Sequence, residues 1–131
     1  MGVRYPSVAS NTFVGPLPAN ATETVICVTP PLTLPLDGAQ VLLLWFYAAT
    51  VGASITSLQT RIRRGTTAAG TTISAAVWPS TTVAGNLITQ AGWYFDTPGN
   101  VAGQQYALTL VQNAATGAST IQEVAFIAFA L

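Results

Sequence analysis

Thr56-Ser57-Leu58-Gln59-Thr60-Arg61-Ile62-Arg63 alternates residue by residue. Leu58, Thr60 and Ile62 fall on one side of an extended chain, and Gln59, Arg61 and Arg63 on the other. That period of two marks a strand with one face in a core and one in water. Arg64-Gly65-Thr66 breaks the pattern, and Ala68-Ala69-Gly70 continues the loop. Working back from it, Val51-Gly52-Ala53-Ser54 reads as a turn, preceded by the apolar run Val41-Leu42-Leu43-Leu44-Trp45-Phe46-Tyr47-Ala48-Ala49. This run falls short of the roughly 20 apolar residues of a membrane helix. It reads as a strand buried on both faces, with no membrane partner expected.

The rest of the chain has the same texture. Thr24-Val25-Ile26-Cys27-Val28-Thr29 is β-branched and is stopped by Pro30-Pro31, because proline cannot donate to a ladder. Leu32 to Leu36 carries Pro35 and reads as an edge strand, and Asp37-Gly38 is a turn signal. Further strands are expected at Thr71 to Val77, Thr81 to Thr89, Gly92 to Asp96, Gln105 to Val111 and Thr120 to Leu131. About eight short strands at turn spacings of about 8–12 residues predict an all-β sandwich or barrel. Its expected core is Val25, Cys27, Leu42, Leu44, Phe46, Leu58, Ile62, Phe95, Tyr106, Leu108, Leu110, Phe126 and Ile127. Residues 1–20 carry Pro6, Pro16 and Pro18 without periodicity and read as an extended N-terminal arm outside the domain, which spans 21–131.

Composition narrows function by exclusion. A chain of 131 residues makes one domain with one core. Only 6% of its residues are charged, four acids against four arginines, with no lysine and no histidine. Ordinary domains carry roughly 25%. Near-zero net charge promotes association, so the chain is expected to live inside an assembly. Without histidine there is no Ser-His or Cys-His nucleophile, and without lysine no Schiff base. Glu23, Asp37, Asp96 and Glu123 are the only carboxylates, and two of them sit in turn signals. No enzyme, no metal site and no cofactor are expected. A nucleic-acid footprint needs a broader basic patch than this chain has. Cys27, the sole cysteine, rules out a disulfide framework and reads as a small buried hydrophobe.

Three stretches stand out. One is Leu58-x-Thr60-x-Ile62-Arg63-Arg64-Gly65-Thr66-Thr67-x-x-Gly70-Thr71. Another is Tyr94-Phe95-Asp96-Thr97-Pro98-Gly99 followed by Gln105-Tyr106-x-Leu108-Thr109-Leu110. The third is the ending Ala125-Phe126-Ile127-Ala128-Phe129-Ala130-Leu131. With these stretches the chain resembles small phage structural proteins. The resemblance covers about residues 22–131 and leaves the arm out. It implies a jelly-roll β-sandwich of about eight antiparallel strands, related in shape to the tumour-necrosis-factor and C1q heads and assembling as a homotrimer. It also implies a non-enzymatic virion protein on the capsid surface, of the decoration or head-fibre type, with the major capsid protein or another virion protein as partner. A carbohydrate-binding β-sandwich is the reading from another class, supported by the tryptophans among Thr, Asn and Gln loops. A tail or baseplate protein is a third.

Two sets of residues are candidates for contact. Arg61, Arg63 and Arg64 concentrate three of the four positive charges, and arginine is favoured at interfaces. With the arm residues Phe13 and Val14 they form the expected surface for a partner protein. In Val124 to Leu131 both alternating sets are apolar: Val124, Phe126, Ala128 and Ala130 on one side, Ala125, Ile127, Phe129 and Leu131 on the other. A strand apolar on both sides is buried on both sides, and one core covers only one of them. Phe126, Ile127, Phe129 and Leu131 are therefore the expected subunit contacts.

Overall fold

The computed structural model describes residues 7–10, 15–17, 22–34, 39–52, 55–79, 85–99, 102–114 and 117–131. Every regular element among them is a strand: β1 (Ser7–Ser10), β2 (Gly15–Pro16), β3 (Thr24–Val28), β4 (Leu32–Thr33), β5 (Val41–Thr50), β6 (Ile55–Arg64), β7 (Thr72–Pro79), β8 (Leu87–Asp96), β9 (Ala102–Gln104), β10 (Tyr106–Ala114) and β11 (Thr120–Ala130). One sheet has the order β1-β11-β5-β8, with β2 also paired to β11. The facing sheet has the order β3-β10-β6-β7, and β4 pairs with β9. All pairings are antiparallel. Setting the three shortest pieces aside, first strand lies beside last and second beside last but one, the double Greek key of a jelly roll.

The core lies between the sheets. From the first come Val41, Leu43, Trp45 and Tyr47 of β5 and Ile121, Val124, Phe126 and Ala128 of β11. From the second come Leu58 and Ile62 of β6, Tyr106, Leu108 and Leu110 of β10, and Ile26 and Cys27 of β3. This confirms the inward face of β6 and reverses that of β5. Leu42, Leu44 and Phe46 were expected inside, yet they are only partly buried on the outer face. Ile127 and Val25 are likewise partly buried, and Phe95 is 46% exposed. Where both faces of a strand are apolar, alternation separates two sets without saying which faces the core.

β8 also departs from expectation. Sequence reading splits this region at Gln90-Ala91, but a single ten-residue strand runs through it. Gly92 pairs with Trp45, and a Cβ at Gly92 would lie 2.4 Å from Trp45 Cζ2. The glycine makes room for an indole that stacks on Tyr47 at 5.9 Å. The expected strand start at 81–84 and the Asp37-Gly38 turn lie outside the described residues.

The N-terminal segment is not a separate arm where it is described. Ser7 to Ser10 pairs with Ala128 to Ala125, and Gly15–Pro16 pairs with Ile121 and Thr120. Leu17 is 2% exposed in the core, and its N–H donates to the Ser119 carbonyl at 2.8 Å. The buried Gln112 amide donates to the Leu17 carbonyl at 3.1 Å and accepts from the Ser119 N–H at 2.9 Å. The boundary expected at residue 20 is thereby corrected: residues 7–10 and 15–17 belong to the sandwich. Prolines suggest an extended arm outside the domain, but an edge strand accepts proline as long as its N–H is not required.

Candidate functional site

A β-bulge sets the outward face of the first sheet. Ile121 and Glu123 have the same parity, so strict alternation would place Glu123 in the core beside Ile121. The register shifts between them, Ile121 pairing with Ala49 and Glu123 with Ala48. The extra residue, Gln122, returns Glu123 to the outside, and both are exposed. From there to the C-terminus Val124, Phe126 and Ala128 point inward, while Ala125, Ile127 and Phe129 are left on the outer face, partly buried.

The registers of β11, β5 and β8 align these outer residues in rows. Phe129, Leu42 and Phe95 form the first row; Ile127, Leu44 and Trp93 the second; Ala125, Phe46 and Ala91 the third; Glu123, Ala48 and Thr89 the fourth. Trp93 is 66% exposed and meets Phe95 edge to face at 5.5 Å. Leu131 is 51% exposed beyond the first row. The face grades from large apolar side chains at one end to small and polar ones at the other. Contiguous exposed apolar surface is a common feature of interaction sites. Covering the exposed two-thirds of Trp93 alone is worth about 4 kcal/mol, for a side chain of roughly 250 Å².

Ile127, Phe129 and Leu131, expected at a subunit contact, do lie on this face. Phe126 does not: it is fully buried between the sheets. Trp93, Phe95, Leu42, Leu44 and Phe46 were missed as surface residues. Their signal was present as alternation in β5 and β8, but aromatic residues default to a core when parity is unknown.

The arginines are engaged elsewhere. Arg61 and Arg63 lie on the outer face of the second sheet, over Thr109 and Ala107 of β10. Arg63 donates from Nε to Glu23 Oε1 and from Nη2 to Oε2, both at 2.6 Å, and from Nη1 to the Gly70 carbonyl at 2.7 Å. Arg61 Nη1 reaches Glu23 Oε2 at 2.7 Å, and the Thr109 hydroxyl donates to Oε1 at 2.5 Å. These donors, Arg63 foremost, hold the Glu23 carboxyl at about 2, far below its ordinary value, against the opposing effect of burial. Glu23 in turn raises the Arg63 guanidinium. The arginine stems also shield Ala107 and Thr109, which are fully buried although they point away from the core.

Arg64 closes one end of the sandwich. Its Nη2 donates to Asp96 Oδ1 at 2.6 Å and its Nε to Oδ2 at 2.9 Å, where the Tyr106 hydroxyl also donates at 2.8 Å. Asp96 ends a strand of one sheet while Arg64 and Tyr106 belong to the other, so this charge pair ties the two sheets together. Burial foremost, then the Asp96 hydrogen bond, pushes the Tyr106 phenol up. All three arginines expected at a partner contact are paired with carboxylates within the chain. Phe13 and Val14, expected beside them, lie outside the described residues.

No protein-family model matches the chain, and no curated protein is similar to it in sequence. Solved structures do share its fold. Eiger TNF from S. frugiperda superposes with a TM-score of 0.55 at 10% identity, over 98% of this chain and 92% of that one. A chain of infectious bursal disease virus, Gt strain, does so with a TM-score of 0.60 at 8% identity, over 97% of this chain and 33% of its own length. Dimeric latent PorU from Porphyromonas gingivalis follows with 0.55 at 9% identity, over 98% of this chain and 13% of that one. The chain thus spans about a third of the virus chain and a small part of PorU. At such identities the likeness is one of fold.

Proposed function

We propose that this chain is a non-enzymatic structural protein of a virus particle. In this reading it assembles as a homotrimer through the outer face of β11, β5 and β8 and sits on the capsid surface as a decoration or head-fibre protein. The observation that carries the reading is that face: rows of Phe, Leu, Ile and Trp with Trp93 66% exposed, in a chain with only 6% charged residues. Another copy is the matching occupant. It brings an equally apolar surface to the Phe, Leu, Ile and Trp rows, and closed symmetry buries them without leaving an open end. The fold shared with a virus chain supports the particle assignment, as does the resemblance to small phage structural proteins. The partner on the particle is then the major capsid protein or another virion protein.

Phe129→Asp and Trp93→Asp each place a charge in the proposed seam. Light scattering should report monomers in place of trimers for both variants, with far-ultraviolet circular dichroism unchanged. Trimers that survive both substitutions overturn the assembly reading. A reconstruction of the particle with threefold density of this size on the capsid tests the location. Exposed Trp93 favours one second reading, a sugar-stacking platform; glycan-array binding lost in Trp93→Ala by a monomeric protein would favour it over the first.

A further inference from the structure

Glu123 is the one ionisable residue in the four rows of the outer face. No opposite charge accompanies it among the described residues. Across from it stand Ala48 and Thr89, and Gln122 beside it donates to the Thr50 hydroxyl at 3.2 Å. The paired segments β1 and β2 contain no ionisable residue either. The bulge at Gln122 spends a ladder position to keep this carboxylate outside.

Its place in the rows bears on how copies meet. If two copies met head to tail, Glu123 of one would face the Phe129, Leu42 and Phe95 row of the other. That would bury a carboxylate against hydrocarbon with no counter-charge, which is costly. If copies close around an axis parallel to the strands, equivalent residues lie at one level along it, so aromatic rows meet aromatic rows and polar ends meet polar ends. The carboxylates then gather at the polar end, among Gln122, Thr50 and Thr89. From this juxtaposition, and resting on the homotrimer reading, we infer that the Glu123 side chains of neighbouring copies approach one another and act as a like-charge brake on assembly.

The test uses four samples of the full chain at low salt: wild type, Glu123→Gln, Glu123→Lys, and an equimolar mixture of wild type with Glu123→Lys. Association is read by sedimentation, and by subunit exchange between fluorescently labelled copies where dissociation is too slow. Glu123→Gln should associate about tenfold more tightly than wild type, since repulsion between like charges is removed. Glu123→Lys keeps like charges together and should be no tighter than wild type. The mixture should be tighter than either component, and its advantage should shrink in about 0.5 M salt. A mixture no tighter than its components, or a Glu123→Gln protein unchanged or weaker, overturns the inference. If that happens while Trp93→Asp still abolishes association, the homotrimer stands and only the brake falls. Monomers in every sample at every concentration overturn the homotrimer reading itself.

Discussion

Replacing Glu23 by glutamine keeps the shape of the side chain and removes the charge that Arg61 and Arg63 share. In the folded chain four donors converge on this carboxylate at 2.5 to 2.7 Å, and the side chain is 13% exposed. Its ionisation is lowered from 4.5 to about 2. At 1.36 kcal/mol per unit this corresponds to at most about 3 kcal/mol of folding stability. The exposure of Arg61, at 29%, argues for the lower part of a range of about 1–3 kcal/mol. The sign follows from the direction of the shift. The folded state holds the proton more weakly than the unfolded chain. The contribution is therefore complete above the unfolded value near 4.5 and disappears as pH falls toward about 2. Urea unfolding of wild type and Glu23→Gln, at one fixed protein concentration, should separate the two by about 1–3 kcal/mol at neutral pH. The gap should close progressively between about pH 5 and pH 2, where the wild-type carboxyl also becomes neutral. Equal stabilities at neutral pH would refute the reasoning. So would a gap that stays constant down to about pH 2.

Two other substitutions probe the packing. Gly92→Ala places a methyl group 2.4 Å from Trp45 Cζ2, in a ring pinned by its stacking on Tyr47, and should lower stability by about 1–3 kcal/mol, measured as a drop in thermal midpoint. Arg64→Ala leaves the 5% exposed Asp96 carboxylate with the Tyr106 hydroxyl as its only remaining side-chain donor among the described residues, and should cost about 3 kcal/mol in urea unfolding. Arg64→Ala with Asp96→Asn should recover part of that loss, because the buried charge has gone.

The all-β class, the strands β3 to β7, β10 and β11, and the two-faced character of β5 and β11 were legible in the sequence. They follow from local facts: a period of two in Leu58–Ile62 and Tyr106–Leu110, prolines after Thr29, and apolar residues at both parities from Val124 to Leu131. The apolar excess with so little charge led to the expectation of an assembly surface, and Ile127 and Phe129 do lie on the outer face of the first sheet, with Leu131 exposed beyond them. Tertiary structure decided what such local signals leave open. Which parity of β5 faces the core depends on the facing sheet, and it turned Trp45 and Tyr47 inward and Leu42, Leu44 and Phe46 outward. One unpaired residue, Gln122, reset the parity of β11, and no period-two pattern encodes a bulge. The arginines show the same limit across distance. Arg61 and Arg63 find Glu23 about 40 positions away, and Arg64 finds Asp96 across the sandwich. Alternation records what one strand needs, whereas pairing is settled by which strands the Greek-key connections bring side by side.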